Sequence, residues 1–210
     1  MVRRIVLVCC VLLLWCWWQC FLLVTTGGGL LAQQPALLRF SSAALPQGDD
    51  ASYTVTGPPT IPAEFIDHVL TAYGSPALGT GQALYDLGVQ YGIDPVYALA
   101  FFLHEDRFGE TGIGAANHSL GNIRCSAGSA CQYGFRSYVT WAESYQDWYN
   151  LILNGYVRGQ VTIPLRGHVC STVDEIVPVY APSSNQNDGA AYSAAIKHAV
   201  DTWRGGGIWV

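Results

Sequence analysis

The chain has 210 residues, of which 50% are hydrophobic and only 12% are charged. Its 15 acidic and 10 basic residues give a formal net charge of −5 at pH 7, and the sequence contains no basic cluster. This balance argues against nucleic acid as a partner, and against the binding of a polyanion by bulk charge.

The first element in chain order is an uncharged apolar run, Ile5–Val24. As a helix it would span about 30 Å, the thickness of a bilayer core. Arg3 and Arg4 precede it, so the positive-inside rule predicts a cytoplasmic N-terminus and an extracytoplasmic remainder. A cleaved signal peptide is the alternative, with cleavage after Ala32 or Ala44. Both interpretations export the rest of the chain.

The composition predicts three parts. Residues 1–24 form a cytoplasmic stub and a transmembrane anchor. Residues 25–60 are rich in Gly, Gln, Pro, Ser and Thr and predict a flexible linker. Residues 61–205 have the size of one domain with its own core.

Hydrophobic periodicity predicts a mainly α (α+β) domain with a small irregular β or loop lobe after its central helix. Asp94 and Pro95 begin this central helix, which is apolar on all sides from Val96 to Leu103. No helical period is visible over 110–130. The predicted helices are Ala63–Tyr73, Gly81–Tyr91, the central helix, one that Thr140 caps, a short helix or turn over Thr172–Tyr180, and a terminal helix striped from Tyr192 to Trp203; the strand candidates are Ile123 and Tyr133–Val139.

Three cysteines lie in the exported part: Cys125, Cys131 and Cys170. Disulfides persist in such a compartment. Cys125 with Cys131 closes a short loop and is the first choice, but spacing cannot decide connectivity, so a bridge from either residue to Cys170 stays open. The sequence contains neither a CxxC pair nor a four-ligand zinc set, so we expect no metal and no cofactor.

Glu105 is the leading candidate for a catalytic residue. It ends an apolar run and precedes a Gly-rich turn, where desolvation by Phe101, Phe102 and Phe108 would raise the pKa of its carboxyl group. A raised pKa suits a general acid, whereas a negative charge at a helix C-terminus is unfavourable for stability alone. A zinc protease motif would need His one turn on, where Phe108 stands.

Four motifs occur in order around this residue: AFFLHEDRFG, SLGNIRC, FRSYVTWAESYQDWYNLI, and VPVYAPSSNQND followed by AYSAAIKHAVDTW. Together they resemble the bacterial glucosaminidase family of the lysozyme-like superfamily, also described as mannosyl-glycoprotein endo-β-N-acetylglucosaminidase-like domains. Members of this family cleave peptidoglycan at N-acetylglucosamine. Ser119 and Leu120 stand where the family more usually has Asn-Pro.

The resemblance implies a lysozyme-like fold in which Glu105 is the catalytic acid. It also implies that Tyr180 is an active-site tyrosine whose hydroxyl group binds substrate or Glu105. Asn122 either fixes its turn or binds an acetamido group. For a second carboxylate Glu110 is the leading candidate, while Asp106 is expected to be a surface charge. Asp174 and Glu175 are further options for the second acid.

Four further polar and aromatic residues have predicted positions in the groove or in the core. Tyr138 and His118 are candidates for the substrate groove. Trp141 and Trp148 recur at helical spacing and are expected to pack in the core rather than to contact sugar.

The sequence therefore predicts a monomeric, membrane-anchored peptidoglycan hydrolase of the endo-β-N-acetylglucosaminidase type, acting on β-1,4 bonds of glycan strands. A lytic transglycosylase or a muramidase on the same fold is the alternative, because a transglycosylase needs only one Glu. A non-catalytic wall-binding domain is an alternative of another class.

Overall fold

The computed structural model describes residues 53–160 and 169–210. The predicted anchor over Ile5–Val24, both candidate cleavage sites and most of the predicted linker lie outside these residues. Within them, no helix has both the length and the apolarity that crossing a bilayer requires.

The folded unit begins before the predicted boundary at residue 61. Val55 is buried, and its backbone NH donates to the carbonyl oxygen of Ser171 at 2.8 Å. The NH of Asp94 donates in turn to the carbonyl oxygen of Val55 at 3.0 Å. The hydroxyl group of Tyr53 donates to Asp201 at 2.7 Å. From Tyr53 to Thr56, buried apolar residues alternate with partly exposed threonines. This period of two is typical of an extended segment that lies on the surface of a domain.

The mainly helical architecture with a small β lobe is confirmed. Its elements are α1 (Ala63–Ala72), α2 (Gly81–Tyr91), α3 (Pro95–Asp106), α4 (Gly114–Asn117), β1 (Cys131–Gln132), β2 (Phe135–Arg136), α5 (Trp141–Asn150), a π-helical continuation (Leu151–Val157), α6 (Val173–Tyr180), a 3-10 turn (Ser183–Asn185) and α7 (Gly189–Arg204).

Helix α3 is the centre of the core. The side chain of Asp94 accepts a hydrogen bond from the NH of Val96, and Pro95 occupies the first helical position, as the sequence predicts. The helix is buried from Pro95 to Phe102. It packs against α2 and α7, while α7 also contacts α6. A helix that is apolar all round needs partners on several sides, which this arrangement supplies.

The β lobe is smaller than the sequence predicts. Cys131 pairs with Arg136, and Gln132 pairs with Phe135, in one antiparallel hairpin. Tyr133 and Gly134 between the strands have φ angles of 53° and 84°. Positive φ at both residues is typical of a two-residue hairpin turn, so the predicted strand over Tyr133–Val139 begins in fact with a turn.

Two further differences concern the loop and the helices. The sequence does not predict helix α4, which lies within residues 110–130. Its four residues are too few to display a helical period. Thr140 caps helix α5, as predicted, and its side chain accepts a hydrogen bond from the NH of Glu143. After Asn150 the chain continues as a π-helix, which the sequence did not predict. Trp148 is fully buried, which confirms its place in the core.

Candidate functional site

A cleft of about 1100 Å³ opens between the C-terminal end of α3 and the β lobe. Its walls come from the segment 122–126, from β2, from α5 and its π-helical continuation, from the end of α6 and from the start of α7. π-Helical turns are rare and recur at functional sites. Glu105 lines this cleft.

The end of α3 explains how Glu105 reaches the cleft from a buried helix. Arg107 and Phe108 both adopt left-handed backbone conformations, with φ angles of 52° and 59°, and Gly109 follows at 79°. Three successive positive φ angles reverse the chain within one turn. Phe108 is thereby buried in the core, and Glu105 stays on the last helical turn at the cleft wall.

The carboxyl group of Glu105 is held by a residue that sequence reasoning did not select. The hydroxyl group of Tyr192 donates to Oε1 of Glu105 at 2.6 Å. Burial raises the pKa of Glu105, while hydrogen bonding from Tyr192 and Asn122 and the positive charge of Arg124 act in the lowering direction. Burial outweighs them, so protonated Glu105 persists to a higher pH than an exposed glutamate would.

Tyr192 belongs to the apolar stripe of α7, and helical periodicity therefore predicts that it packs in the core. It is indeed buried, and its ring packs 3.8 Å from the ring of His104, centroid to centroid. Periodicity correctly predicts its burial but gives no sign that its hydroxyl group faces a carboxylate on α3. A buried tyrosine normally needs a hydrogen-bond partner, and that requirement was the available signal.

Tyr180 lines the cleft but does not hydrogen-bond Glu105 in this structure. Its hydroxyl group donates to the carbonyl oxygen of Gly121 at 2.5 Å and accepts from Nε1 of Trp148 at 3.2 Å. Burial raises the pKa of Tyr180 well above its usual range. Its hydroxyl group therefore fixes the turn that carries Asn122, rather than contacting the acid.

Asn122 shapes its turn, which is one of the two roles that the sequence left open. Its φ angle of 44° is left-handed, a conformation that Asn tolerates better than most residues, so it shapes the turn. Its side chain lines the cleft, and its Oδ1 atom is buried without a hydrogen-bond partner among the described residues. Because this oxygen is buried, the structure supports the turn-forming role of Asn122 and leaves its binding of an acetamido group as a prediction.

Glu110, the predicted second carboxylate, is not among the described residues that line the cleft. Its side chain is 48% exposed and accepts a hydrogen bond of 2.9 Å from Nε of Arg107. The left-handed residues at the end of α3 direct it outward. Glu110 therefore forms an ion pair with Arg107 on the surface.

Asp106, expected on the surface, is only 3% exposed. Its Oδ1 accepts from the NH of Gly109 at 2.8 Å, while Oδ2 is buried without a partner among the described residues. Burial, with a contribution from the charge of Glu105, raises the pKa of Asp106 to about 7. The loop after α3 folds back over this carboxyl group, so closely that a Cβ atom at Gly114 would overlap Oδ2.

The other acidic options also lie away from the cleft. Glu175 closes a capping box with Thr172 at the start of α6, and Asp174 forms an ion pair with Lys197 of α7. Both acids therefore stabilise helices α6 and α7.

The remaining groove candidates support the cleft from behind instead of lining it. The hydroxyl group of Tyr138 donates to Asp147 at 2.6 Å, and Nδ1 of His118 lies 3.1 Å from the carbonyl oxygen of Tyr138. Asp147 also accepts from Arg136 through both carboxylate oxygens, at 2.9 and 2.7 Å. Asp147 and Arg136 line the cleft, so Tyr138 fixes one of its walls.

A disulfide joins Cys125 to Cys131, the pairing that was the first choice. It connects the segment that follows Asn122 to β1. Cys170 is a buried free thiol.

Comparison with known proteins finds similarity to solved structures. No protein-family model and no curated protein matches the chain. Among solved structures, the chain is similar to the crystal structure of a peptidoglycan hydrolase from Sphingomonas sp. A1, with a TM-score of 0.43 and 13% sequence identity. The similarity covers 67% of this chain and 88% of that one.

The geometry permits acid catalysis by one residue. Among the described residues of the cleft, the carboxyl groups are those of Glu105 and Asp147. Asp147 is occupied by Arg136 and Tyr138, whereas Glu105 is held by neutral donors and forms no ion pair within the described part of the chain. Glu105 can therefore donate a proton to a bound molecule and then remain as a hydrogen-bonded carboxylate.

Proposed function

We propose that this chain is a peptidoglycan hydrolase that cleaves β-1,4 glycosidic bonds of glycan strands, of the endo-β-N-acetylglucosaminidase type, with Glu105 as the general acid. The observation that carries the proposal is the half-buried carboxyl group of Glu105, which lines a cleft of about 1100 Å³ and accepts a hydrogen bond from Tyr192. A glycosidase needs such a group, because the leaving sugar oxygen must be protonated near neutral pH.

In the proposed reaction, Glu105 transfers its proton to the glycosidic oxygen as the bond to the anomeric carbon breaks. The carboxylate that remains is stabilised by the hydroxyl group of Tyr192 and by Asn122. The substrate's own acetamido oxygen stabilises the positive charge at the anomeric carbon. Glu105 then takes a proton from the water molecule that attacks this carbon.

A lytic transglycosylase is the second candidate, because the engagement of Asp147 favours a reaction with a single carboxylate, a requirement that it shares with the substrate-assisted reaction above. Inversion or covalent retention requires a second available carboxylate near the acid. Among the described cleft residues, the carboxylate besides Glu105 is tied to Arg136 and Tyr138. A transglycosylase needs no second carboxylate, because the sugar's 6-hydroxyl group attacks the anomeric carbon and Glu105 accepts the proton of this hydroxyl group.

We also propose that the domain acts outside the cytoplasmic membrane, held by the apolar segment over residues 5–24. The support is the uncharged composition of that segment and the two arginines that precede it. Peptidoglycan lies on the same side of the membrane.

The test is digestion of purified peptidoglycan by the full-length chain, followed by mass spectrometry of the products. Reducing N-acetylglucosamine ends indicate a glucosaminidase, reducing N-acetylmuramic acid ends a muramidase, and anhydro ends a transglycosylase. Glu105→Gln should lower the rate at least about 100-fold, since a positioned acid contributes that much or more. Glu110→Gln is the matched control and should retain activity.

Undiminished cleavage by Glu105→Gln would remove the role given to this residue. Binding of glycan strands by the unaltered chain without any new ends would instead indicate a non-catalytic wall-binding domain.

A further inference from the structure

Arg124 occupies a rigid position on the β lobe beside the candidate acid. It follows the turn of Asn122, and its backbone forms an antiparallel bridge with Phe135 of β2. The NH of the next residue, Cys125, donates to the carbonyl oxygen of Gly134 at 3.1 Å, and Cys125 is anchored to β1 by the disulfide. The backbone that carries Arg124 is therefore fixed on both sides.

The side chain of Arg124 is exposed, lines the cleft and has no carboxylate partner among the described residues. Its guanidinium group lies over the ring of Phe135, 4.7 Å from the ring centroid. Stacking of this kind orders the guanidinium plane and leaves its N–H donors open. Arg136, on the same lobe, differs because both oxygens of Asp147 occupy its donors.

The charges of the described cleft residues leave Arg124 as the open cation. Arg136 and Asp147 neutralise each other, and burial lowers the pKa of His104, which favours its neutral form. The charge of Arg124 reaches Glu105 and favours the ionised carboxylate. This influence opposes the protonated state that a general acid needs, unless a ligand neutralises Arg124 when it binds.

We propose that Arg124 binds a carboxylate of the glycan strand and thereby selects anionic strands over neutral β-1,4 glycans. A planar guanidinium with open N–H donors matches a carboxylate through two parallel hydrogen bonds. The inference rests on the proposed function. The carboxylate can come from the lactyl group of the sugar or from the peptide attached to it. Occupation of this site would also remove the charge that opposes protonation of Glu105.

The experiment compares matched substrates with the full-length chain. Glycan strands are prepared with their stem peptides and after removal of the peptides, which exposes lactyl carboxylates, and each strand is also prepared as its methyl ester. Arg124→Gln should lower kcat/KM about tenfold on the acid forms, the size of one charge-assisted hydrogen-bonded contact, and less than twofold on the esters. Arg124→Lys keeps the charge and should lose less.

Arg107→Gln is the control, because Arg107 is equally cationic but is paired with Glu110 and is not among the described cleft residues. A loss confined to stem-bearing strands identifies the peptide carboxylate, and a loss on stem-free acid strands identifies the lactyl carboxylate. Equal losses on acid and ester forms, or no loss on any form, would overturn the inference.

The proposed function and this inference fail in different ways. If the unaltered chain releases no new ends from any strand, the proposed function is wrong. The inference is then tested by binding. Dissociation constants for the acid and ester strands are measured with the Glu105→Gln variant and with the double variant that also carries Arg124→Gln. A preference for acid strands that disappears with Arg124 supports it, and equal affinity contradicts it.

Discussion

The hydroxyl group of Tyr192 and the Oε1 atom of Glu105 are 2.6 Å apart, although 87 residues separate them in the chain. This hydrogen bond connects the end of the central helix to the start of the terminal helix. It orients the carboxyl group and stabilises its charged form, so Tyr192 acts on both the position and the acidity of Glu105.

Tyr192→Phe should therefore raise the pKa of Glu105 and misplace its carboxyl group. Activity that requires protonated Glu105 falls as pH rises through this pKa, so the alkaline limb of the pH–rate profile should move to higher pH. The maximal rate should fall about tenfold, because one hydrogen bond to a charged group is lost. The measurement is kcat as a function of pH on soluble glycan strands.

Tyr85→Phe is a suitable control, since Tyr85 on α2 is half-buried and is not among the described cleft residues. An alkaline limb that stays in place in Tyr192→Phe would contradict a direct effect on Glu105.

Asp106 should make the protein less stable at alkaline pH. Its pKa is about 7 in the folded protein, above the usual value of 3.8, so between these values the folded state binds more protons than the unfolded state. The free energy of unfolding must then decrease as pH rises across this window. Asp106→Asn removes the charge, keeps an oxygen acceptor for Gly109 and should be more stable than the unaltered chain at pH 8, by at most about 4 kcal/mol.

Urea unfolding of both proteins at pH 4 and pH 8 measures this difference. We expect a small stability difference at pH 4, where the carboxyl group is protonated in the folded protein. Glu110→Gln controls for the general effect of removing one negative charge. An Asp106→Asn protein whose stability depends on pH as steeply as that of the unaltered chain would show that Asp106 is not buried as a carboxylate.

The differences between sequence and structure have a common physical origin. Periodicity and capping residues predict helices well, because they depend on neighbours within a few positions, as Asp94 and Pro95 show at the start of α3. The direction of the chain after a helix depends on backbone angles that side-chain patterns do not encode. The left-handed Arg107 and Phe108 turn Glu110 away from Glu105, although five residues suggested proximity.

Burial of polar residues is similarly hard to infer from sequence. Asp106 follows Glu105 at a polar helix end, which is typical of an exposed residue. It is buried because the loop that begins at Gly109 returns over it, a tertiary contact without a local signal. The sequence also gives no sign of the hydrogen bond between Tyr192 and Glu105, because Tyr192 fits the apolar stripe of α7 and periodicity does not show where its hydroxyl group points.

Gly121 should be intolerant of any side chain. A Cβ atom at this position would lie 2.5 Å from Cδ1 of Trp148 and 3.1 Å from Cε1 of Phe102, both in fully buried rings. Because both rings are packed in the core, Gly121→Ala should destabilise the protein by about 1–3 kcal/mol through overpacking. Thermal unfolding measures the loss. Gly128→Ser, at a loop position where a Cβ would meet no atom within 4 Å, tests instead the backbone strain of a positive φ angle.

Tyr180→Phe separates support of the turn from chemistry. The substitution removes the hydroxyl group that donates to the Gly121 carbonyl oxygen and accepts from Trp148, leaving two buried polar atoms without this partner. We expect a stability loss of about 1–3 kcal/mol, the usual cost of such unpaired groups. Because Tyr180 makes no hydrogen bond to Glu105 in this structure, the alkaline limb of the pH–rate profile should stay close to that of the unaltered chain, unlike the limb in Tyr192→Phe. Parallel thermal unfolding and pH–rate measurements on the two variants provide the comparison. An equal displacement of the limb in both would assign Tyr180 a direct role beside the acid.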